Sequence, residues 1–161
     1  MIRIRKLTDY GIVLLTYFVG DGEASVRTAR ELAAKAYLPL PTVSKILKAL
    51  ARSGLLVAHR GIAGGYSLAR APEDISVADI IAALEGPLAL TECSASAPGL
   101  CDLEPVCPVR SNWRKINDVV REALDQLSLA DMSRPLATRV AAALGTASTA
   151  STHLILLRNE S

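Results

Sequence analysis

Apolar positions first recur at helical spacing between Thr8 and Val19, until Gly20, Asp21 and Gly22 break the pattern. A second helix is expected from Thr28 to about Ala36. Thr28 and Glu31 have the spacing of a capping box, in which hydroxyl and carboxylate each satisfy a free backbone N–H. The prolines of "YLPLP" then force a turn, and Pro41 suits the first position of a third helix, where no N–H is needed. In that helix Val43, Ile46, Leu47 and Leu50 draw one apolar face, and Thr42, Ser44, Lys45, Lys48 and Arg52 occupy the others. Gly54 is placed to cap its end. "LLVAHR" and "YSLAR" flank the tight turn "GIAGG", which predicts a β-hairpin.

Beyond Pro72, Ser76 and Asp79 predict the cap of a helix that runs through Glu85 and stops at Gly86. "TECSASAPGLCDLEPVC" carries no apolar period and is expected to be a loop. A long helix is expected from about Pro108 to Gln126. Its apolar residues Val109, Trp113, Ile116, Val120, Ala123 and Leu127 step alternately by four and three, which is a coiled-coil seam. Such a seam near the end of a small domain is expected to join two subunits. From Ser133 the composition shifts to Ala, Thr and Ser, as in a frayed helix or a disordered tail. "HLILLR" within that tail is apolar, and no role is assigned to it.

These elements predict a mainly α fold with a small β-hairpin wing: a winged helix-turn-helix followed by a long dimerisation helix. The expected organisation is a DNA-binding domain over 1–72, a connecting helix over 73–90, a cysteine loop over 91–107, the dimerisation helix over 108–132 and the tail over 133–161. Composition agrees. Half of the 161 residues are apolar but only 4% are aromatic, so the core must be built from Leu, Val, Ile and Ala, which favours helices over a large sheet.

A formal net charge of only +2 means that any nucleic-acid role rests on where the charge sits. The third helix would enter the major groove of double-stranded DNA, with Thr42, Ser44, Lys45 and Lys48 toward bases and phosphates. Arg60 beside Gly61, Gly64 and Gly65 would bring the hairpin tip close to a minor groove. Arg27 and Thr28, at the start of the second helix, would meet a phosphate. Without the hairpin and the helix-turn-helix spacing, the same cations would read as an ordinary solvated face. His59 is expected to make a phosphate or packing contact, and Tyr66 to pack the wing on the body. No nucleophile–base pair, phosphate loop or paired acids stand out, so an enzyme is not expected.

No secretory signal is visible, and the apolar run near the N-terminus is too short to span a membrane. A cytoplasmic, reducing compartment is expected, where clustered thiols serve as ligands or redox sensors rather than structural disulfides. The spacing is Cys-x7-Cys-x5-Cys, from Cys93 through Cys101 to Cys107. Short loops of thiolates hold iron–sulfur clusters or zinc, although zinc prefers Cys-x2-Cys pairs. A thiol switch needs only two cysteines, and unligated surface thiols also fit the spacing.

"KLTDYG", "LPLPTVSKILKALARSGLL", "HRGIAGGYSLAR", the three-cysteine loop and "LSLADM" together resemble the winged-helix iron–sulfur regulators typified by IscR and NsrR, over about residues 1 to 132. "ALEGPLALTECS" and the "NW" of the long helix are similar to the branch that regulates the SUF cluster-assembly system. The resemblance implies a homodimeric transcription regulator, a repressor, that senses iron–sulfur, oxidant or nitric-oxide status. It also implies Cys93, Cys101 and Cys107 as thiolate ligands. The histidine ligand of IscR-like members is replaced here by Arg110, whereas Asp9 matches the NsrR-like aspartate given by the partner subunit. Glu92, Asp102, Glu104, water or a small thiol stay open as alternatives. Three thiolates and an aspartate resemble the 4Fe–4S members of that family more than the 2Fe–2S ones, which implies a 4Fe–4S cluster. The rivals are a cluster-independent DNA-binding protein and a zinc or thiol-switch regulator.

Overall fold

A computed structural model describes residues 4–19, 25–62, 64–91, 94, 101 and 106–134. Cys93, Glu92, Asp102, Glu104 and the tail beyond Arg134, with its "HLILLR", lie outside the described residues. The elements run α1 (Lys6–Val19), α2 (Ala29–Ala36), α3 (Leu40–Arg52), β1 (Leu56–His59), β2 (Gly65–Leu68), one tight helical turn (Pro72–Asp74), α4 (Val77–Glu85), α5 (Arg110–Asp125) and α6 (Leu129–Ser133).

The helix-turn-helix pair forms for local reasons. Thr28 accepts a hydrogen bond from the Glu31 N–H and opens α2. The expected reciprocal half of the box is absent, because the Glu31 carboxylate is drawn to Arg27 and Lys35 instead. Two cross-bonds end α2, from Tyr37 N–H to the Ala34 carbonyl and from Leu38 N–H to the Ala33 carbonyl. That geometry puts Tyr37 in the left-handed region at φ 53°, where glycine is usual. Pro41 falls one place later than expected, since Leu40 is the first residue of α3. Gly54, at φ 78°, and Leu55 close α3 with the same pair of cross-bonds, to Ala51 and Leu50.

Val43, Ile46, Leu47 and Leu50 are fully buried, as their spacing requires. They meet Leu14, Leu15 and Phe18 of α1 and Leu32 of α2 in one core. Each such side chain contributes about 1.5–3 kcal/mol when removed from water. The core does not stop at residue 72. Ile75, Ile80 and Leu129 belong to it, so α4 and α6 close the same unit against α1.

The C-terminal part carries an element that the apolar period did not reveal. α5 stops at Asp125, and a second box, Ser128 with Asp131, starts α6. Ser128 sits opposite Ser76, the N-cap of α4. Val77 N–H donates to the Leu127 carbonyl and Leu129 N–H to the Ile75 carbonyl, both at 2.8 Å. Two helix starts are thereby stitched together, and the far end of α5 is anchored to the core.

Candidate functional site

α3 buries one face and leaves the other to solvent. Lys45, Lys48 and Arg52 are exposed, Thr42 and Ser44 are half-buried beside them, and the first turn carries no acid. Among the described residues none of the three cations is in an ion pair. The surface is therefore a cationic strip with hydroxyls at its edge, suited to a phosphate backbone and to base edges.

The hairpin lies directly after α3. Leu56 pairs with Leu68 and His59 with Gly65 in an antiparallel ladder. His59 is spent within the hairpin, where its Nε2 lies 2.8 Å from Ser67 Oγ. Tyr66 packs on the core and exchanges two backbone bonds with Arg27, which adds a third, single-residue strand to the wing. Arg60 is exposed near the tip, and Ile62 beyond it is fully exposed.

Two residues expected to meet a phosphate, Arg27 and Thr28, are engaged within the chain. Arg27 is only 6% exposed, and its Nη1 lies 2.6 Å from Glu31 Oε1, so its guanidinium braces α2 instead of facing a groove. Burial alone would raise the Glu31 carboxyl, but hydrogen bonds and charge from Arg27 and Lys35 outweigh it and hold the group below the usual value. The Thr28 hydroxyl is likewise engaged in capping. The glycines also answer to the protein itself. A Cβ on Gly64 would lie 2.6 Å from the His59 carbonyl oxygen, and one on Gly65 would lie 2.5 Å from that of Arg27. Gly61 sits at φ 109°, which only glycine adopts without strain. Arg60 is thus left as the wing's candidate for contact with DNA.

The cysteine loop leads into α5. Cys101 and Cys107 are free thiols, both half-buried, and the Cys107 carbonyl accepts from the Arg110 N–H at 3.4 Å where α5 begins. Among the described residues no three potential ligands converge, and Cys93 lies outside them. The donor set of three cysteines in one loop nonetheless fits an iron–sulfur cluster, whose irons prefer thiolates. Asp9 is exposed on the first turn of α1.

A contact that sequence spacing missed fixes that turn. The Glu85 carboxylate, at the end of α4, accepts from the Thr8 hydroxyl and, at 2.9 Å, from the Arg5 N–H. Arg5 Nε also lies 3.8 Å from Glu85. Glu85 therefore caps α1 from another helix, beside Asp9. Burial would raise its carboxyl, but the two hydrogen bonds and the Arg5 charge hold it below the usual value.

On α5, Val109, Trp113, Ile116, Ala123 and Leu127 are exposed and Val120 is half-buried. The seam predicted from spacing is not covered by this chain's own described residues. Among these no helix is long and apolar enough to cross a membrane.

Comparison with known proteins places this architecture. A family model, Rrf2, described as an iron-dependent transcriptional regulator, matches residues 4–135. The protein Rrf2 of Nitratidesulfovibrio vulgaris is 30% identical over 132 residues, covering 80% of this chain and 87% of that protein. The transcriptional regulator NsrR of Halalkalibacterium halodurans is 26% identical over 130 residues, covering 81% and 89%. Among solved structures, CymR, the global cysteine regulator of B. subtilis, is similar with a TM-score of 0.63 at 26% identity, covering 83% of this chain and 97% of that one. IscR of T. potens is similar with a TM-score of 0.60 at 28% identity, covering 81% and 85%.

Proposed function

Since the chain belongs to the Rrf2 family of DNA-binding transcriptional regulators, and is not an enzyme, we propose that it is a homodimeric cytoplasmic repressor whose hold on operator DNA responds to an iron–sulfur cluster. The observation that carries this is free Cys107 at the foot of α5, with free Cys101 upstream in the same loop, beside an apolar seam that the described residues leave largely exposed. Lys45, Lys48 and Arg60 would bind DNA, with Thr42 and Ser44 reading bases. Val109, Trp113, Ile116, Val120, Ala123 and Leu127 would form the dimer contact.

Cys93, Cys101 and Cys107 would hold the cluster, with Asp9 of the partner subunit as fourth ligand, and a 4Fe–4S form is favoured. When bound, such a group supplies a centre that oxidants or nitric oxide attack. The chain's own residues do the rest. The cysteine loop joins α4 of the reading head to α5 of the dimer contact. A change in that loop would alter the spacing of two reading heads, and DNA affinity would follow how well each state fits two half-sites. Control of SUF-type assembly genes is the target class that the sequence resemblance favours.

Protein purified without oxygen is expected to be brown, with near-stoichiometric iron and sulfide, and Asp9→Ala to lose or change that absorption. A colourless, iron-free protein that still binds operator DNA would sink the cluster reading. A second reading, a thiol switch, is favoured by half-exposed free thiols and by likeness to a cysteine regulator. It predicts an oxidant response in iron-free protein that is lost when the cysteines are replaced by alanine.

A further inference from the structure

A cavity of about 390 Å³ lies between α4 and α5, beside the cysteine loop. This lies in the lower part of the roughly 300–1,000 Å³ range of small-molecule sites. Its floor is apolar, from Ala78, Ala82 and Leu88, and its polar lining is Asp79, Ser94, Asn117, Arg121 and Asp125.

Asn117 marks the cavity as more than a packing gap. It is 7% exposed and the only buried residue of α5. The Leu90 N–H donates to its Oδ1 at 3.1 Å, which fixes the amide's orientation and leaves Nδ2 as the donor end. Among the described residues nothing accepts from Nδ2. Nδ2 is not sealed from solvent, so it stands open to an acceptor that enters the cavity.

The rest of the lining says what else that acceptor's molecule carries. Arg121 lies one helical turn beyond Asn117 on the same face of α5, and no ion pair holds it among the described residues. Both are donors that suit a carboxylate. One turn further, Asp125 accepts from the Ser76 hydroxyl through Oδ1 at 3.2 Å and is otherwise available. Asp79, across the cleft, is bonded to Arg70 and to its own capping box. Donors for an anion and an acceptor for a cation thus stand one turn apart above an apolar floor.

We propose that the α4–α5 cleft is a site for a small zwitterionic α-amino acid, with its carboxylate on Asn117 and Arg121, its ammonium on Asp125 and a short side chain on Ala78, Ala82 and Leu88. The occupant bridges the helix that closes the reading-head core and the helix that bears the seam. Its presence would bias their relative angle and hence DNA affinity. The site adjoins the cysteine loop through Ser94, but the groups assigned to the ligand lie on α4, on α5 and at Leu88, and occupancy is measured without DNA and without iron, so it is tested apart from the cluster reading.

The test is calorimetric titration of the full chain with glycine, L-alanine, L-serine and L-valine, each at up to millimolar concentration. Isobutylamine and isobutyrate serve as half-ligands for L-valine. At least one amino acid is expected to bind saturably with one site per chain, and both half-ligands to bind far more weakly. Asn117→Asp keeps the acceptor for Leu90 but replaces the donor with a negative oxygen, and Arg121→Gln removes an exposed charge. Each is expected to weaken binding about tenfold or more, and Arg121→Gln, at an exposed position, to leave the thermal midpoint near that of the native protein. No saturable binding of any of the four, or binding unchanged in both variants, overturns the proposal.

Discussion

At the scale of residues, single contacts decide what each side chain is free to do. Lys45 and Arg27 are both cations near the expected DNA surface, yet Lys45 is exposed while Arg27 is buried against Glu31. Lys45→Ala is therefore expected to weaken operator binding evenly across sequences and to reduce the salt slope by about one, seen by titration over a series of salt concentrations. Tyr37 is 94% exposed and holds a left-handed conformation with no buried contact to repay it. Tyr37→Gly is expected to stabilise the fold by about 1 kcal/mol, read from the urea midpoint. Glu85 titrates below its ordinary value of 4.5 because it holds Thr8 and Arg5. A depressed carboxyl contributes stability that is present above that value and lost as pH falls through the folded-state value. The difference in Tm between native protein and Glu85→Gln is expected to be constant near neutrality and to close progressively below about pH 4.5.

At the scale of elements, helix ends matter as much as helix faces. The Ser76 and Ser128 boxes sit side by side and join α4, α5 and α6 through two backbone bonds. Ser128→Ala removes one hydroxyl acceptor and is expected to cost about 1 kcal/mol, visible as a lower Tm. α5 poses the opposite problem, since the described residues leave most of its apolar stripe exposed. Ile116 is 46% exposed, so Ile116→Glu should leave the fold of a single chain intact. It is expected to convert a dimer to a monomer in sedimentation, with helix content by circular dichroism unchanged. A variant that sediments as the native protein does would remove the seam from the dimer contact.

At the scale of the whole molecule, the reading head and the cysteine loop are linked by two routes. One is covalent, from α4 through the loop to α5. The other is the Glu85 bond to the start of α1, which ties the same end of α4 to the turn that carries Asp9. A disturbance at the loop therefore has a short path to the core on which α3 rests. The core itself runs from α1 to α6, so the reading head is completed by residues from both sides of the loop.

Local physics made much of this legible in the sequence. The buried face of α3, its glycine stop, the hairpin after it, the Ser76 cap and the alternating seam each follow from spacing or from backbone preference within a few residues. The three cysteines and the cationic strip were likewise visible as patterns. What spacing left open depended on which distant groups meet. It did not show that Glu31 abandons its own N-cap for Arg27, that Gly64 and Gly65 make room for the chain's own backbone, or that Glu85 caps a helix far away in the chain. It passed over α6, although Ser128 and Asp131 repeat the signal of Ser76 and Asp79, because one short turn has no apolar period to notice. The cleft beside Asn117 exists only where α4 and α5 come together. Periodicity and caps are properties of neighbours along the chain, so the sequence alone determined the elements and their apolar faces. Partners for buried polar groups are chosen by three-dimensional proximity, and only the tertiary structure decided them.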